Sequence, residues 1–181
     1  MKKEIYEMVR KKAIDLYDQA HIVLSEQEKE HIEVADFGLG DIFRTGLQLV
    51  TYVNTDRVCA KELALLPNQT CPEHWHPPLA NGYMGKEETF RCQYGEMYLF
   101  VAGPKTPDPK AFPPVGDEKY YSVFHQIVLT PGEQYTLPPN SKHWFQAGPQ
   151  GAVVSEFSTK SFDEEDSFTD PTIERVPIIE E

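Results

Sequence analysis

The sequence predicts a mainly β fold, a sandwich or small barrel with helices at its N-terminal end, on three observations. From about residue 47 the segments LQLVTYV, RVCAKELALL, ETFRCQYGEMYLFVA, YYSVFHQIVL and GAVVSEFS are short, β-branched and aromatic, and are separated by Gly, Pro and Asn. Many short strands at close intervals favour a closed or two-layered sheet. Ahead of them, residues 3–20 carry Ile5, Met8, Val9, Ala13, Leu16 and Tyr17 at helical spacing with Lys and Glu between, the pattern of a helix that packs one face. Third, 181 residues with 40% hydrophobic content suit one domain with a sizeable core.

The remaining elements follow in order. Ser25 and Glu28 have the spacing of a capping box and predict a short second helix before Gly38 and Gly40 interrupt the chain. Both helices are expected to lie against the outside of the β unit or against a partner subunit. Glu88 begins a strand expected to end at Gly95, in a turn leading into EMYLFV. Residues 103–119, rich in Pro and Gly, are too long for a simple hairpin and read as either an ordered loop beside a site or a mobile insertion. The tail SFDEEDSFTDPTIERVPIIEE, by composition alone, reads as a solvated acidic extension. The expected division is a helical segment over 1–40, a barrel over 41–160 and an acidic segment over 161–181.

Composition narrows the function. Seventeen Lys and Arg stand against 29 Asp and Glu, a formal charge of −12, which repels phosphate backbones and anionic lipid surfaces. Nucleic acid and membrane are therefore not expected partners. No apolar run approaches the roughly 20 residues of a membrane span, and the charged start lacks the apolar centre of a secretory signal, so a cytoplasmic location is expected. Cys59, Cys71 and Cys92, odd in number and without a C-x-x-C, read as small buried residues in a reducing compartment.

The chemistry gathers around His74-Trp-His76. In an extended strand residues i and i+2 point to one face, so a single metal could accept both imidazoles. Glu88, at the start of a strand, and His143, after a proline-bearing turn, supply a third and a fourth candidate ligand. Three imidazoles and a carboxylate suit Mn, Fe, Co, Ni or Zn, with further positions open to substrate oxygens. His125 alternates with Val123 and Ile127 and reads as a core or pocket residue. His21 and His31 read as surface residues.

These residues resemble the cupin superfamily. Its first motif, G(x)5HxH(x)3-4E(x)6G, is matched by His74, His76, Glu88 and Gly95; its second, G(x)5PxG(x)2H(x)3N, by Gly132, Pro138 and His143. The sequence departs from the pattern with Asn68 at the first glycine, eleven residues between His76 and Glu88, Asn140 for the second-motif glycine and Ala147 for its asparagine. Asn adopts the left-handed conformation readily, so Asn140 is a mild change. The long gap leaves Glu87 beside Glu88 as a ligand, and the fixed spacing to Gly95 favours Glu88.

Within that superfamily the chain resembles the D-lyxose ketol-isomerases, from about Asp41 to Arg175, through CPEHWHPP, GKEETFRCQYG, PPNSKHWFQAG and VVSEFSTKSFDEEDSFTDP. The resemblance implies a single cupin barrel, a homodimer, and a divalent metal, usually manganese, held by His74, His76, Glu88 and His143. It also implies a substrate-serving lysine thirteen residues before the first His, which is Lys61, and a later acid, which falls on Glu156. A sugar-contacting aspartate is best matched by Asp166, with Asp163 as the alternative. The residues support this in part. Lys61 shares a strand face with Cys59, Leu63 and Leu65, and Glu156 shares one with Val154.

The activity so implied is aldose–ketose isomerisation of a free monosaccharide through a cis-enediol, between D-lyxose and D-xylulose, with D-mannose and D-fructose as a further pair. The metal would stabilise the charge developing on the sugar oxygens, and Lys61 and Glu156 would share the proton transfers. An Fe(II) cupin dioxygenase would use the same ligands but leave Lys61 unexplained. A cupin sugar-phosphate isomerase would need a cationic pocket, for which only Lys105, Lys110 and Lys119 in the long loop offer themselves.

Overall fold

A computed structural model describes residues 1–80, 82–176 and 178–180. Its described elements are helices α1 (Lys3–Gln19) and α2 (Glu26–Glu30) and strands β1 (Glu33–Ala35), β2 (Leu47–Asn54), β3 (Cys59–Leu65), β4 (Thr70–Trp75), β5 (Glu88–Val101), β6 (His125–Leu129), β7 (Gln134–Leu137), β8 (His143–Ser158) and β9 (Ser167–Phe168). All nine strands belong to one sheet, in the order β1-β2-β3-β8-β4-β9, with β5 on β8 and with β6 and β7 on β5. The pairings are antiparallel, as the expected mainly β barrel requires.

Two long strands curl this sheet. β8 pairs along its length with β5, while its first half also pairs with β4 and its second half with β3. The change of partner occurs where both strands bend: the β5–β8 register shifts between Cys92 and Tyr94 and again between Gly95 and Met97, opposite Gly148–Gly151. Inward residues accordingly change parity. On β5 they are Glu88, Phe90 and Cys92, then Met97, Leu99 and Val101; on β8 they are His143, Phe145 and Ala147, then Ala152, Val154 and Glu156.

The turn expected at Gly95 is therefore a bulge inside one continuous strand. Gly95 has φ +70°, and its backbone lies so close to Gly151 that an added Cβ would stand 2.0 Å from the Gly151 carbonyl oxygen. Only glycine permits both the left-handed conformation and that approach.

Three apolar clusters follow from this geometry. The interior holds Leu63, Leu65, Phe90, Met97, Leu99, Phe145 and Val154. Outside, α1 lays Val9, Ala13, Leu16 and Tyr17 onto Val50, Ala64 and Val153, and the Tyr17 hydroxyl donates to the Glu62 carbonyl at 2.8 Å. Met8, expected on that face, is half exposed. The capping box of α2 forms as the Ser25–Glu28 spacing predicts. Residues 103–119 are an ordered loop that covers another outer face, where Trp144 stacks on Phe100 at 3.9 Å beside Tyr121 and Ala111.

The tail does not behave as a solvated extension. β9 pairs with β4, and Ser161 and Asp170 are buried. Glu73 on β4, 1% exposed, accepts hydrogen bonds from the Ser122 and Val123 amides and from the Ser122 and Thr169 hydroxyls. A buried carboxylate so fully satisfied fixes both the 121–124 loop and the tail to the barrel.

Two predictions follow. Gly95→Ala should lower unfolding stability by about 3–5 kcal/mol, read by denaturant titration, because a backbone carbonyl cannot yield to the new methyl. Glu62, buried under α1 against the Ser155 hydroxyl, has its carboxyl pushed up to about 7 by burial. The folded chain then keeps a proton that the unfolded chain releases near pH 4.5, so this contribution is complete below pH 4.5 and is lost as pH rises to 7. Glu62→Gln should flatten that decline, leaving the variant on the order of 2–3 kcal/mol more stable than the parent at pH 8 and close to it at pH 4.

Candidate metal centre and active site

One end of the barrel interior forms a charged pocket. His74 comes from β4, His76 from just beyond it, Glu88 from the first residue of β5 and His143 from the first residue of β8. All four are buried, whereas Glu87 is exposed, so the structure places Glu88 and not Glu87 in the pocket. The imidazole rings of His74 and His143 stand 4.2 Å apart, and those of His74 and His76 5.2 Å. One ligand atom from each of the three histidines lies within 4.8 Å of the others.

The outer ring nitrogens are all engaged. His74 Nδ1 meets the Pro72 carbonyl at 2.8 Å and His143 Nδ1 the Ser141 carbonyl at 2.9 Å. A carbonyl can only accept, so Nδ1 carries the proton in both rings and Nε2 turns a lone pair inward. His76 Nδ1 meets the Asp166 carboxylate at 2.5 Å.

On the inner side, Glu88 Oε1 lies 3.2 Å from Nε2 of His76 and 3.2 Å from Nε2 of His143, neither of which has a hydrogen-bond partner. Burial, together with the other two histidines, holds His74 well below the usual histidine range. Burial also lowers His143, against the pull of Glu88. At His143 a neutral Nε2 and the Glu88 carboxylate oxygen are both acceptors, and they face each other stably only with a cation between them. Imidazole and carboxylate donors so arranged can hold a divalent metal.

Burial would lower His76 as well, but the Glu88 carboxylate, opposed by Lys86 and helped by the bond to Asp166, outweighs it and pushes His76 up to about 9. Burial would raise Glu88. Lys86, His76 and His143 overcome that and hold its carboxyl well below the usual range.

The other expected residues border the same cavity. Lys61 and Glu156 face each other across the β3–β8 ladder. Lys61, 3% exposed, is engaged by both oxygens of Asp163 at 2.7 Å and by the Ser161 hydroxyl at 3.2 Å. Burial would raise the Asp163 carboxyl, yet Lys61 and Arg175 hold it below the usual carboxylate range. Asp166 sits behind His76, its second oxygen 3.9 Å from Arg175. His125 is turned away, its ring meeting the Pro104 carbonyl at 3.0 Å.

The sequence reading passed over Lys86. Its buried ammonium lies 2.8 Å from Glu88 and forms an ion pair with Glu156, so it links the ligand cluster to the candidate base. Burial opposes its charge, but Glu156 and Glu88 raise its pKa well above the ordinary lysine value and keep it an ammonium. The i, i+2 spacing that picked out His74 and His76 also joins Lys86 to Glu88. Arg175, which pairs with Glu33 and approaches Asp163 at 3.6 Å, was likewise unmarked.

Asn140 and Asn68, which replace the two motif glycines, have φ of +60° and +59°, the left-handed conformation expected for such a replacement.

A curled antiparallel barrel with three imidazoles and a carboxylate gathered at one end is a cupin fold, and its His74, His76 and His143 could hold a divalent metal. Comparison with known proteins agrees. The family described as D-lyxose isomerase matches residues 114–181. The chain is 59% identical to a D-lyxose/D-mannose isomerase of Thermosediminibacter oceani over 100% of this chain and 99% of that one. It is 60% identical to a D-lyxose ketol-isomerase of Cohnella laeviribosi over 94% and 93%. The chain belongs to the D-lyxose isomerase family. Among solved structures, an L-ribose isomerase of Cellulomonas parahominis bound to L-ribose superposes with a TM-score of 0.82, covering 99% of this chain and 98% of that one; at 17% identity this speaks for the fold.

Removing the carboxylate behind His76 should loosen the metal without removing a ligand. Asp166→Ala is expected to weaken Co(II) binding by about 10–100-fold in a spectroscopic titration, with the melting profile retained.

Proposed function

We propose that this chain interconverts D-lyxose and D-xylulose, and also D-mannose and D-fructose, as a metal-dependent aldose–ketose isomerase. The Lys86–Glu156 pair beside the four donor side chains is the observation that carries the reading. High identity to relatives named for D-lyxose and D-mannose supports the choice of sugars. We assign the metal to His74, His76, Glu88 and His143 and favour Mn(II), which suits a mixed imidazole and carboxylate set. The proposal extends to a homodimer, as the family resemblance implies, and to the cytoplasm, which suits three free, buried cysteines.

A bound divalent ion supplies Lewis-acid polarisation of the sugar carbonyl and stabilises negative charge on the sugar oxygens. Glu156 is the group we assign to the carbon-bound proton. Its carboxylate takes the proton from C2 of the open-chain aldose as O1 gains one, giving an enediol. The same carboxylate returns the proton to C1 as O2 gives one up, leaving the carbonyl at C2. Lys86 fixes Glu156 in place and, as an ammonium, offsets the negative charge near the reacting carbons.

Of the two residues expected to share proton transfer, Lys61 is engaged by Asp163 and Ser161, which favours Glu156 as the base. We place Asp166 and Asp163 at the border of the sugar. The cations that line the cavity, Lys61, Lys86 and Arg175, each face carboxylates, which favours an uncharged sugar over a sugar phosphate. Lys105, Lys110 and Lys119 instead lie over Phe124, Tyr98 and Tyr120.

The test is ketose formation from D-lyxose and D-mannose by metal-stripped protein before and after Mn(II) is restored, with oxygen uptake followed in parallel. Ketose that appears only with metal, without oxygen consumption, is expected; oxygen consumption without ketose would turn the reading to a dioxygenase. Glu156→Gln should lower kcat by about 10²–10⁴-fold while metal affinity stays within a factor of two or so.

A further inference from the structure

We propose that Phe37 is a specificity-determining residue, its ring forming with Phe168 and Leu49 the apolar wall that limits how long a sugar the pocket accepts. This rests on the isomerase reading above and concerns the chain-length preference of the same site.

The starting observation is a backbone anomaly. Five non-glycine residues among those described have clearly positive φ: His21, Phe37, Asn68, Asp108 and Asn140. Four of these are His, Asn or Asp, types that tolerate the left-handed region; a bulky aromatic there is an outlier. Phe37, at φ +55°, is also 2% exposed, and it lines the cavity that holds the metal-centre residues.

The conformation is held from several sides. Phe37 and Gly38, at +55° and +71°, are the central residues of a turn closed by the Leu39 amide on the Asp36 carbonyl at 3.0 Å. Turns with two positive φ values ordinarily place Asn or Gly at the first central position. The Asp36 carboxylate accepts from the Gly38 amide at 3.2 Å, and the Phe37 carbonyl accepts from the Glu174 amide at 3.0 Å, next to Arg175. Asn would satisfy the turn with less strain, so the aromatic side chain is what the position gains. Strain that surrounding contacts maintain at a pocket wall is a mark of function.

The ring's position states what that function is. Phe168 lies 5.7 Å from the His74 ring on one side and 5.7 Å from Phe37 on the other. Phe37 thus packs on Phe168, which itself packs on the His74 ring, and in this proposal the sugar carbons remote from the reacting end extend toward this pair. Leu47, Leu49 and Leu63 line the same cavity. An apolar wall distinguishes substrates by length, and one additional carbon is worth about 10-fold or more in kcat/KM when the wall is rigid. D-mannose carries one carbon more than D-lyxose.

The test is the ratio of kcat/KM for D-mannose to that for D-lyxose in the Mn(II)-loaded full-length chain, with Mn(II) affinity and melting temperature measured alongside. Phe37→Leu should raise the ratio about tenfold while Mn(II) affinity is unchanged. A ratio within twofold of the parent in a folded Phe37→Leu protein overturns the proposal. Should Phe37→Leu fail to fold, Leu49→Ala shortens the same wall without touching the strained turn, and the same two outcomes decide. Failure of the parent to isomerise either sugar would overturn the isomerase reading itself, a result distinct from an unchanged ratio in an active enzyme.

Discussion

Closure of the sheet at the paired bends of β5 and β8 is the constraint on which the candidate metal centre depends. By strand register, Glu88 stands opposite Ser158 while His143 stands opposite Val101, at the other end of β5. On a flat sheet those two ends would lie roughly 40 Å apart at the usual rise per residue. In the curled sheet Glu88 Oε1 and His143 Nε2 are 3.2 Å apart. That proximity is a product of curvature, and the curvature is enforced where Gly95 and Gly151 bring their backbones together. The ligand geometry is thus set by backbone far from any ligand, which makes the centre as rigid as the barrel itself.

The second level of support comes from the tail. Asp166 orients His76, Asp163 neutralises Lys61, and Arg175 joins both aspartates to Glu33 on β1. These residues lie within a stretch that composition alone marks as soluble and acidic. What fixes the stretch is a set of receptors on the barrel: Glu73 for Thr169, Asn54 for Ser161 and Lys61 for Asp163. Asp163 and Asp166 each find a buried partner, Lys61 and His76, and without one their desolvation would keep them in water.

This division also explains what was legible in the sequence. The His74-x-His76 pair, Glu88 and His143 could be read because local spacing and ordered motifs determine which face they occupy. Lys61 could be placed on an inward face because β3 keeps one alternation throughout, with Cys59, Leu63 and Leu65 buried beside it. The parity changes in β5 and β8 could not be read, since a bulge is decided by the close approach of two chains and not by either alone. The glycine at 95 suggested a turn for the same reason that it permits a bulge. Lys86 was missed because the eleven residues between His76 and Glu88 looked like an interruption of a motif, although they deliver a buried ammonium next to the ligand carboxylate.

The pocket's charge pattern bears on the kind of molecule it can receive. Glu88 and Glu156 share Lys86, Asp163 holds Lys61, and Asp166 lies between His76 and Arg175, while Phe37, Leu47, Leu49, Leu63, Phe90 and Phe168 are among the apolar side chains that line the rest. Ionised groups in so apolar a setting must be matched, because an isolated one would be neutralised by a shift in its pKa. A matched set has little capacity to accept a further anion such as a phosphate, which would leave one carboxylate without its cation. It has ample capacity for neutral hydroxyls, which can donate to a paired carboxylate or accept from a paired ammonium without breaking the pairing. The apolar wall can meanwhile lie against the C–H faces of the same molecule. An uncharged polyhydroxylated chain, polar along its edges and apolar on its faces, satisfies both halves of the pocket at once.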